Sequence, residues 1–319
     1  MRHEVISADS KQTPKDYGSH GIAEGAYRAQ DFMSSTPIFL KPYASIQQAM
    51  ETFRTYAVNS ILVVDAKGPD GGFQLSGRIT IKNVFRQLFP GLKQKDLLVL
   101  NQVLHEPVEK AISKHQLMVN SSLDIRKILP VILKDCSQLA GVQHDEKLVG
   151  QIYGTDLLKV LKINENDNFS LQLIKQALPT TKVSEIMIGH VLCLSPQDEI
   201  SKAMEVFMAT DTPYIAILNE QGKLMRILFS LDVLEYILEL VDSKELIEFE
   251  KKGLVLDRTI GSMAEKEFTT IKENSDLAEA VAIMVAKNVF YLAVTDVQQR
   301  FYGLFSYMDI LAWIQRRLG

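Results

Sequence analysis

The chain has 319 residues, 46% apolar and 23% charged, a composition that suits a folded globular protein with more than one core. A formal net charge of −4 gives no general attraction to nucleic acid or to an anionic membrane. No apolar run reaches the roughly 18–20 residues that a membrane span requires. Residues 1–28 are a polar segment without the charged-then-apolar order of a secretion signal, and Cys136 and Cys193 form no disulfide framework, so a reducing, cytoplasmic setting is expected.

The first predicted unit opens on the short apolar segment Phe32-Met33. A helix follows in which Ile46, Ala49, Met50 and Phe53 are spaced i, i+3, i+4, i+7, with Ser45 ahead as N-cap. Ile61 to Val64 reads as a strand, Gly68-Pro69-Asp70-Gly71-Gly72 as a turn, and Leu75 to Thr80 as a second strand. A closing helix carries Val84, Phe85 and Leu88; Pro90-Gly91 marks a break, and a further helix is expected from Lys93 to Leu104.

The second unit opens on Ala111-Ile112 and repeats the stripe as Ile125, Ile128, Leu129 and Ile132 behind Asp124. Pro130 falls inside that helix and predicts a kink or a shortening. A strand over Leu139 to Val142 and a closing helix with Leu157, Leu158 and Leu161 complete the unit. Residues 164–181 read as a linker with a short connecting helix over Phe169 to Ala177.

The third unit opens on Ile186-Met187 and places Ile200, Ala203, Met204 and Phe207 behind Asp198. It continues with a strand over Ile215 to Leu218, the turn Asn219-Glu220-Gln221-Gly222, and a closing helix with Val233, Leu234 and Ile237. Asp242 to Lys252 reads as an exposed, charge-laced helix. The fourth unit opens on Ser262-Met263 and has Leu277, Ala280, Val281 and Met284 behind Ser275, then a strand over Leu292 to Val294. Its closing helix carries Ile310, Leu311 and Ile314, with Trp313 expected in the core.

The order β-α-β-β-α thus occurs four times, which defines an α/β fold built of α+β repeats. The second strand of each unit runs through a small polar turn into the closing helix, and the turn ends at Asn83, Asp156, Asp232 and Asp309, separated by 73, 76 and 77 residues. One unit of about 60 residues buries too little surface to be stable alone, so the units are expected to pair. No H-x-x-H, C-x-x-C, G-x-S-x-G or Walker-type pattern occurs, and no chain is left over for a catalytic domain, so no catalytic or metal-ligating residue is expected.

A β-α-β-β-α unit that ends strand-[Ser/Thr]-x-x-Asp-helix resembles the CBS motif. The resemblance implies two Bateman modules, residues 29–163 and 182–319, that can form one intramolecular disc. The layout is similar to that of the γ regulatory subunits of AMP-activated protein kinase. It implies a non-catalytic regulatory protein that binds AMP or a related adenosyl ligand in one or two inter-motif clefts. The bound state would then pass to an effector protein that the sequence does not name, with the chain acting as a monomer or homo-oligomer.

An Asp in the first turn of a helix can accept both hydroxyls of a ribose, and a Ser or Thr three positions earlier can face a phosphate at the helix N-terminus. On that chemistry Ser306 and Asp309 are the leading candidates, because only the fourth repeat keeps Gly303, Ser306 and Asp309 together. The same letters are also a capping pattern, and both readings stay open. Thr80 is followed by Asn83, which lacks the charge; Asp156 follows Tyr153, and Asp232 follows Phe229 and Arg226. Tyr153 and Phe229 are read as filling their clefts rather than stacking on a base.

The resemblance places basic, phosphate-meeting residues just before the central strand. Here those positions are Asn59-Ser60, Ser137-Gln138, Pro213-Tyr214 and Phe290-Tyr291, and none is cationic. Arg78, Lys82, Arg226 and Arg300 lie nearby and are read as solvated edge charges. AMP, adenosine or a less charged adenosyl compound therefore fits better than a polyphosphate. The alternative is an interaction scaffold whose clefts are packed shut and bind no nucleotide.

Overall fold

The computed structural model describes residues 27–65, 74–114, 117–134, 138–162, 176–242, 257–263, 266–296, 298 and 300–318. The turn predicted at 68–72 lies outside them, as do most of the connecting helix expected over 169–177 and of the charged helix expected over 242–252. No described helix is long and apolar enough to cross a membrane.

All four repeats are present. Each holds a three-stranded sheet in sequence order: β1 (Phe39–Leu40), β2 (Ser60–Asp65) and β3 (Gln74–Thr80); β4 (Met118–Asn120), β5 (Leu139–His144) and β6 (Lys147–Tyr153); β7 (Cys193–Leu194), β8 (Tyr214–Leu218) and β9 (Leu224–Phe229); β10 (Thr270–Lys272), β11 (Tyr291–Thr295) and β12 (Phe301–Ser306). The first pair in every sheet is parallel and the second antiparallel. The antiparallel register slips at one equivalent place in each, after Val63, Val142, Ile217 and Val294.

The stripe helices are Ile46–Tyr56, Ile125–Lys134, Ile200–Ala209 and Leu277–Lys287. Every predicted stripe residue is buried except Val281, which is partly so. Two caps differ from expectation by one position. Glu199, not Asp198, is the N-cap residue of the third stripe helix, and Asp198 instead accepts the Ser195 amide. Asp276, not Ser275, caps the fourth, accepting the Glu279 amide at 2.9 Å. Pro130 does not shorten its helix, which runs for 10 residues against 10 or 11 in the others.

The closing helix of the first repeat, Ile81–Gln94, also passes through Pro90, so the predicted break at Pro90-Gly91 is absent. The break falls instead at Lys95, whose φ of 57° is left-handed, and Asp96 caps the next helix, Leu97–His105. Gly91 serves close packing, since a Cβ there would lie 3.2 Å from the Leu100 amide nitrogen. The closing segment of the second repeat, Gly154–Lys162, is a 3₁₀ helix rather than an α-helix, whereas Ser230–Asp242 and Tyr307–Leu318 are α-helical.

The opening segments do not pack on their own repeats. The short helix Ala29–Phe32 precedes the first repeat but joins the core of the second, with the Ala29 amide on the Leu123 carbonyl and a bridge between Ser34 and Gln151. Val108–Lys110 precedes the second repeat and bonds back to the first, through Val108 to Ala44 and through Ser113 to Arg78. The third and fourth repeats exchange in the same way: Val183 bonds Ser275, Ile188 bridges Leu304, and Ile260 bonds Asp198. This exchange accounts for the motif glycines. A Cβ at Gly77, Gly150 or Gly303 would stand 2.7, 2.6 or 2.5 Å from the carbonyl oxygen of Ser113, Ser34 or Ile188 on the crossing segment.

Two large cores run across the pairs. Stripe and closing helices of the first repeat pack on those of the third, where Phe85 meets Phe207 at 6.3 Å. Those of the second pack on the fourth, around the fully buried Trp313. Full burial of side chains such as Phe53 and Phe85 contributes roughly 1.5–3 kcal/mol each. The sheets close the ring: Leu62, Val64 and Leu139 join the first repeat to the second, and Tyr214, Ala216, Ala293 and Leu304 join the third to the fourth.

Candidate functional site

The last letter of the repeated turn does one thing in all four copies. Asn83 Oδ1 accepts the Thr80 amide at 3.0 Å, Asp156 Oδ2 the Tyr153 amide at 2.9 Å, Asp232 Oδ2 the Phe229 amide at 2.9 Å, and Asp309 Oδ2 the Ser306 amide at 2.7 Å. Each closes the first turn of its helix, so one carboxylate or amide oxygen is committed to the backbone. The hydroxyls turn inward as well: Thr80 Oγ1 donates to Asn83 Oδ1 at 2.7 Å, and Ser306 Oγ to Asp309 Oδ2 at 2.8 Å. Ser306 and Asp309 are 1% and 8% exposed. Burial raises the Asp309 carboxyl to about 6, against the lowering effect of the bonds from Ser306.

Asp232 sits in a different field. Its Oδ1 accepts from Lys266 Nζ at 2.6 Å, Lys266 also meets Glu235 at 2.8 Å, and Arg226 reaches Asp232 Oδ2 at 3.5 Å. Arg226 is 7% exposed and Arg78 9%, so the expectation that they are solvated edge charges is wrong for both. They stand on β3 and β9 within runs of buried residues. Lys82 is likewise engaged, on Asp211 and the Thr210 carbonyl of the third repeat, both at 2.8 Å. Arg300 is exposed and holds Asp296.

The four repeats converge on a central cavity of about 410 Å³. The residues that precede the central strands meet there: Asn59, Gln138, Pro213, Phe290 and Tyr291. Its aromatic walls also include Tyr153 and Phe229, which flank the helix N-termini, and Tyr56 and Tyr307. Among the described residues that line it, Asp232 is the one charged residue, and none is Lys or Arg. Tyr153 Oη donates to the Ser60 carbonyl at 2.9 Å, and Tyr307 Oη donates to Gln138 Oε1, so two phenols tie the second repeat to the first and the fourth to the second. Tyr291 packs against Tyr214 at 5.2 Å, Phe229 at 5.1 Å and Tyr307 at 6.1 Å. Burial raises the Tyr153, Tyr291 and Tyr307 phenols and pushes Tyr214 up to about 12, so all four stay protonated and neutral.

Of the six candidate residues, Asp232 lines the central cavity and Thr80 lines a smaller one of about 60 Å³ with Lys82, Asp211 and Ser230. Asn83, Asp156, Ser306 and Asp309 line neither. Tyr56, Thr155 and Tyr307 were not singled out by the motif. One signal for Tyr307 exists in sequence: it and Gly154 hold the same motif position, large against small. A Cβ on Gly154 would come within 3.0 Å of the Tyr307 ring. A third cavity, about 230 Å³, is bordered by Asp31, Ser121 and His144. Ser121 Oγ meets His144 Nδ1 there at 2.9 Å, but Asp145, 3.6 Å from His144 Nε2, has an 89% exposed side chain and makes no buried triad. No cluster of metal-ligating side chains occurs among the described residues.

The four β-α-β-β-α repeats interlock in pairs and meet around one cavity. The model of the CBS domain matches residues 29–89, 183–239 and 260–316, more than half of the chain, which therefore belongs to the CBS-domain family. The second repeat, outside those matches, is the one with Pro130 in its stripe helix and a 3₁₀ closing segment, yet its sheet has the same topology. Protein MJ1225 of Methanocaldococcus jannaschii is 22% identical over 207 residues, 65% of this chain and 69% of its own. Its crystal structure, described as that of a proposed archaeal homologue of g-AMPK, superposes with a TM-score of 0.74 at 16% identity over 90% of this chain and 99% of that one. A conserved protein from Pyrococcus horikoshii gives a TM-score of 0.55 at 13% identity, over 90% and 100%. Inosine-5'-monophosphate dehydrogenase of M. jannaschii matches at 24% identity, over 43% of this chain and only 24% of the enzyme. At these identities the structural likeness is one of fold.

Proposed function

We propose that the chain is a non-catalytic regulatory protein that binds an adenine nucleotide or another adenosyl compound and passes its bound state to an effector protein. The observation that carries this reading is the convergence of all four repeats on one open cavity. A ligand there touches every repeat, so it can favour one packing of the two helical cores over another, which is what a sensor requires. On this reading residues 29–163 and 182–319 act as two modules joined by 164–181, in the cytoplasm. Both pairs of repeats pack within one chain, which supports a monomeric working unit.

The test is a thermal-shift panel of AMP, ADP, ATP, adenosine, S-adenosylmethionine, NAD and cyclic dinucleotides on ligand-free protein. A binder at tenfold excess over its Kd adds about 1.4 kcal/mol of stability. Trp313 is the single tryptophan and lies in the core between second and fourth repeats, so its fluorescence reports a change in that packing. Silence across the panel would favour the scaffold reading, which the packed rings of Tyr214, Phe229 and Tyr291 support.

A further inference from the structure

We infer that Tyr307 is a latch between the second and fourth repeats, closed in this structure, whose release carries a change at the wall of the central cavity into the helical core around Trp313. The inference rests on the regulatory reading above for its purpose and deepens it by naming the part that moves.

The residue that follows the repeated strand is Ile81, Gly154, Ser230 and Tyr307 in the four units, and its amide donates to the carbonyl of Asn59, Gln138, Pro213 and Phe290 in turn. Between the first and third repeats, Asn59, Ile81, Pro213 and Ser230 border a cavity of about 60 Å³. Between the second and fourth, the Tyr307 ring lies against Gly154 instead. A Cβ on Gly154 would stand 3.0 Å from a ring carbon and 3.4 Å from Oη, so a larger residue there would push the phenol outward. Tyr307 Oη then donates to Gln138 Oε1. Gln138 is itself fixed: its φ of 53° is left-handed, and its carbonyl accepts the Gly154 amide at 2.9 Å.

Two placements make this contact releasable and consequential. The ring borders the central cavity as well as the Gly154 niche, so an open space of about 410 Å³ gives it a second place to go. Tyr307 also begins the helix Tyr307–Leu318, which bears Trp313 and packs on Ile125–Lys134 of the second repeat. If the ring swings out of the niche, the first turn of that helix loses Gln138 and Gly154 together. On the cavity side the ring meets Phe290 at 6.0 Å and Tyr291 at 6.1 Å, both edge-on, so a shift of either neighbour reaches it. An element with two places to sit is what couples a site to a distant core. The polar ties between the first and third repeats are of another sort. Lys82 meets Asp211 at 2.8 Å and Lys93 meets Glu205 at 3.3 Å, in pairs open to solvent that follow their helices rather than fix them.

Amide hydrogen exchange and Trp313 emission on the full, ligand-free chain test the latch. Tyr307→Phe keeps the ring and removes only the hydroxyl. Gln138→Asn shortens the acceptor with a residue that tolerates the left-handed region. Each should speed exchange at least fivefold in Ile125–Lys134, Gly154–Lys162 and Tyr307–Leu318, and less than twofold in Ile46–Tyr56 and Ile200–Ala209. Combined, they should add less than twofold to either alone, because both break the same bond. Phe290→Ala alters the cavity wall beside the ring and should shift the Trp313 emission in the native chain, but add no further shift in Tyr307→Ala. Exchange that speeds equally in all four repeats, or in none, overturns the inference. So does a Phe290→Ala shift that persists in full without the Tyr307 ring. No ligand enters these measurements, so their failure strikes the latch alone and leaves the regulatory reading standing.

Discussion

The two halves of the molecule, repeats one and two against repeats three and four, share a backbone and differ in what faces the centre. Both exchange their opening segments, so the same crossing carbonyls press on β3, β6 and β12. The first half joins its sheets through the aliphatic Leu62, Val64 and Leu139, with glycine at both crossing positions, Gly77 and Gly150. The second half joins through Tyr214 and Tyr291, carries Phe229 beside them, and has Arg226 where the third repeat's glycine would stand. Where a crossing carbonyl presses on the strand, as at Gly77, Gly150 and Gly303, no side chain fits, whereas a cavity wall accepts any group that fills or faces it. The repeat is therefore strict in architecture and loose in chemistry.

The largest expected effect would show whether the crossing constraint really is the same in both halves. Gly303→Ala and Gly150→Ala each drive a Cβ to within 2.6 Å of a backbone carbonyl that cannot swing away. Each should cost about 3 kcal/mol or more in chemical denaturation. A cost under about 1 kcal/mol in one half alone would show that only the other depends on the exchange.

A second comparison sets Asp309 against Asn83, which occupy the same place and make the same cap bonds. The Asp309 carboxyl is raised from its ordinary 3.8 to about 6 by burial. The folded state thus holds a proton that the unfolded chain has released. Stability from this group is complete below about pH 4 and is lost as pH rises through 6, a change of about 2–3 kcal/mol. Asp309→Asn should keep the cap, as Asn83 does, and flatten the stability profile between pH 4 and 6. An unchanged slope in pH-dependent denaturation would show that the carboxyl is not held up.

The smallest effect belongs to the ion cluster of the second half. Lys266 is half-exposed, and Arg226 also reaches Asp232, so Lys266→Met should lower stability by no more than about 1 kcal/mol. A larger loss in thermal denaturation would make Lys266 the main counter-charge of Asp232.

The stripes were legible because helical periodicity is local, and all four emerged where the apolar spacing put them. Boundaries were less so. Pro90 and Pro130 signal an end when only the chain is read, yet both sit inside helices whose buried faces, Phe85 and Leu88 or Ile128 and Ile132, hold them in place. The opening segments were assigned to their own repeats because sequence shows order and not exchange. Gly303 reads in sequence as part of a ligand turn, yet what it meets, like Gly77 and Gly150, is the neighbouring repeat's backbone. Arg78 and Arg226 read as surface charges because a strand's alternation does not say which face a neighbour will cover.

The sequence by itself determined that this protein is built of four β-α-β-β-α repeats, three of which match the CBS domain, since periodicity and spacing are properties of the chain and one repeat cannot bury its own face. The tertiary structure decided which repeat meets which, and that the surviving Ser306 and Asp309 bond to one another while the open, ring-walled space lies where all four units meet. The physical reason is range. Helix stripes and caps are set within a few residues, whereas a cavity is defined by groups from four distant segments, and no local pattern records their meeting.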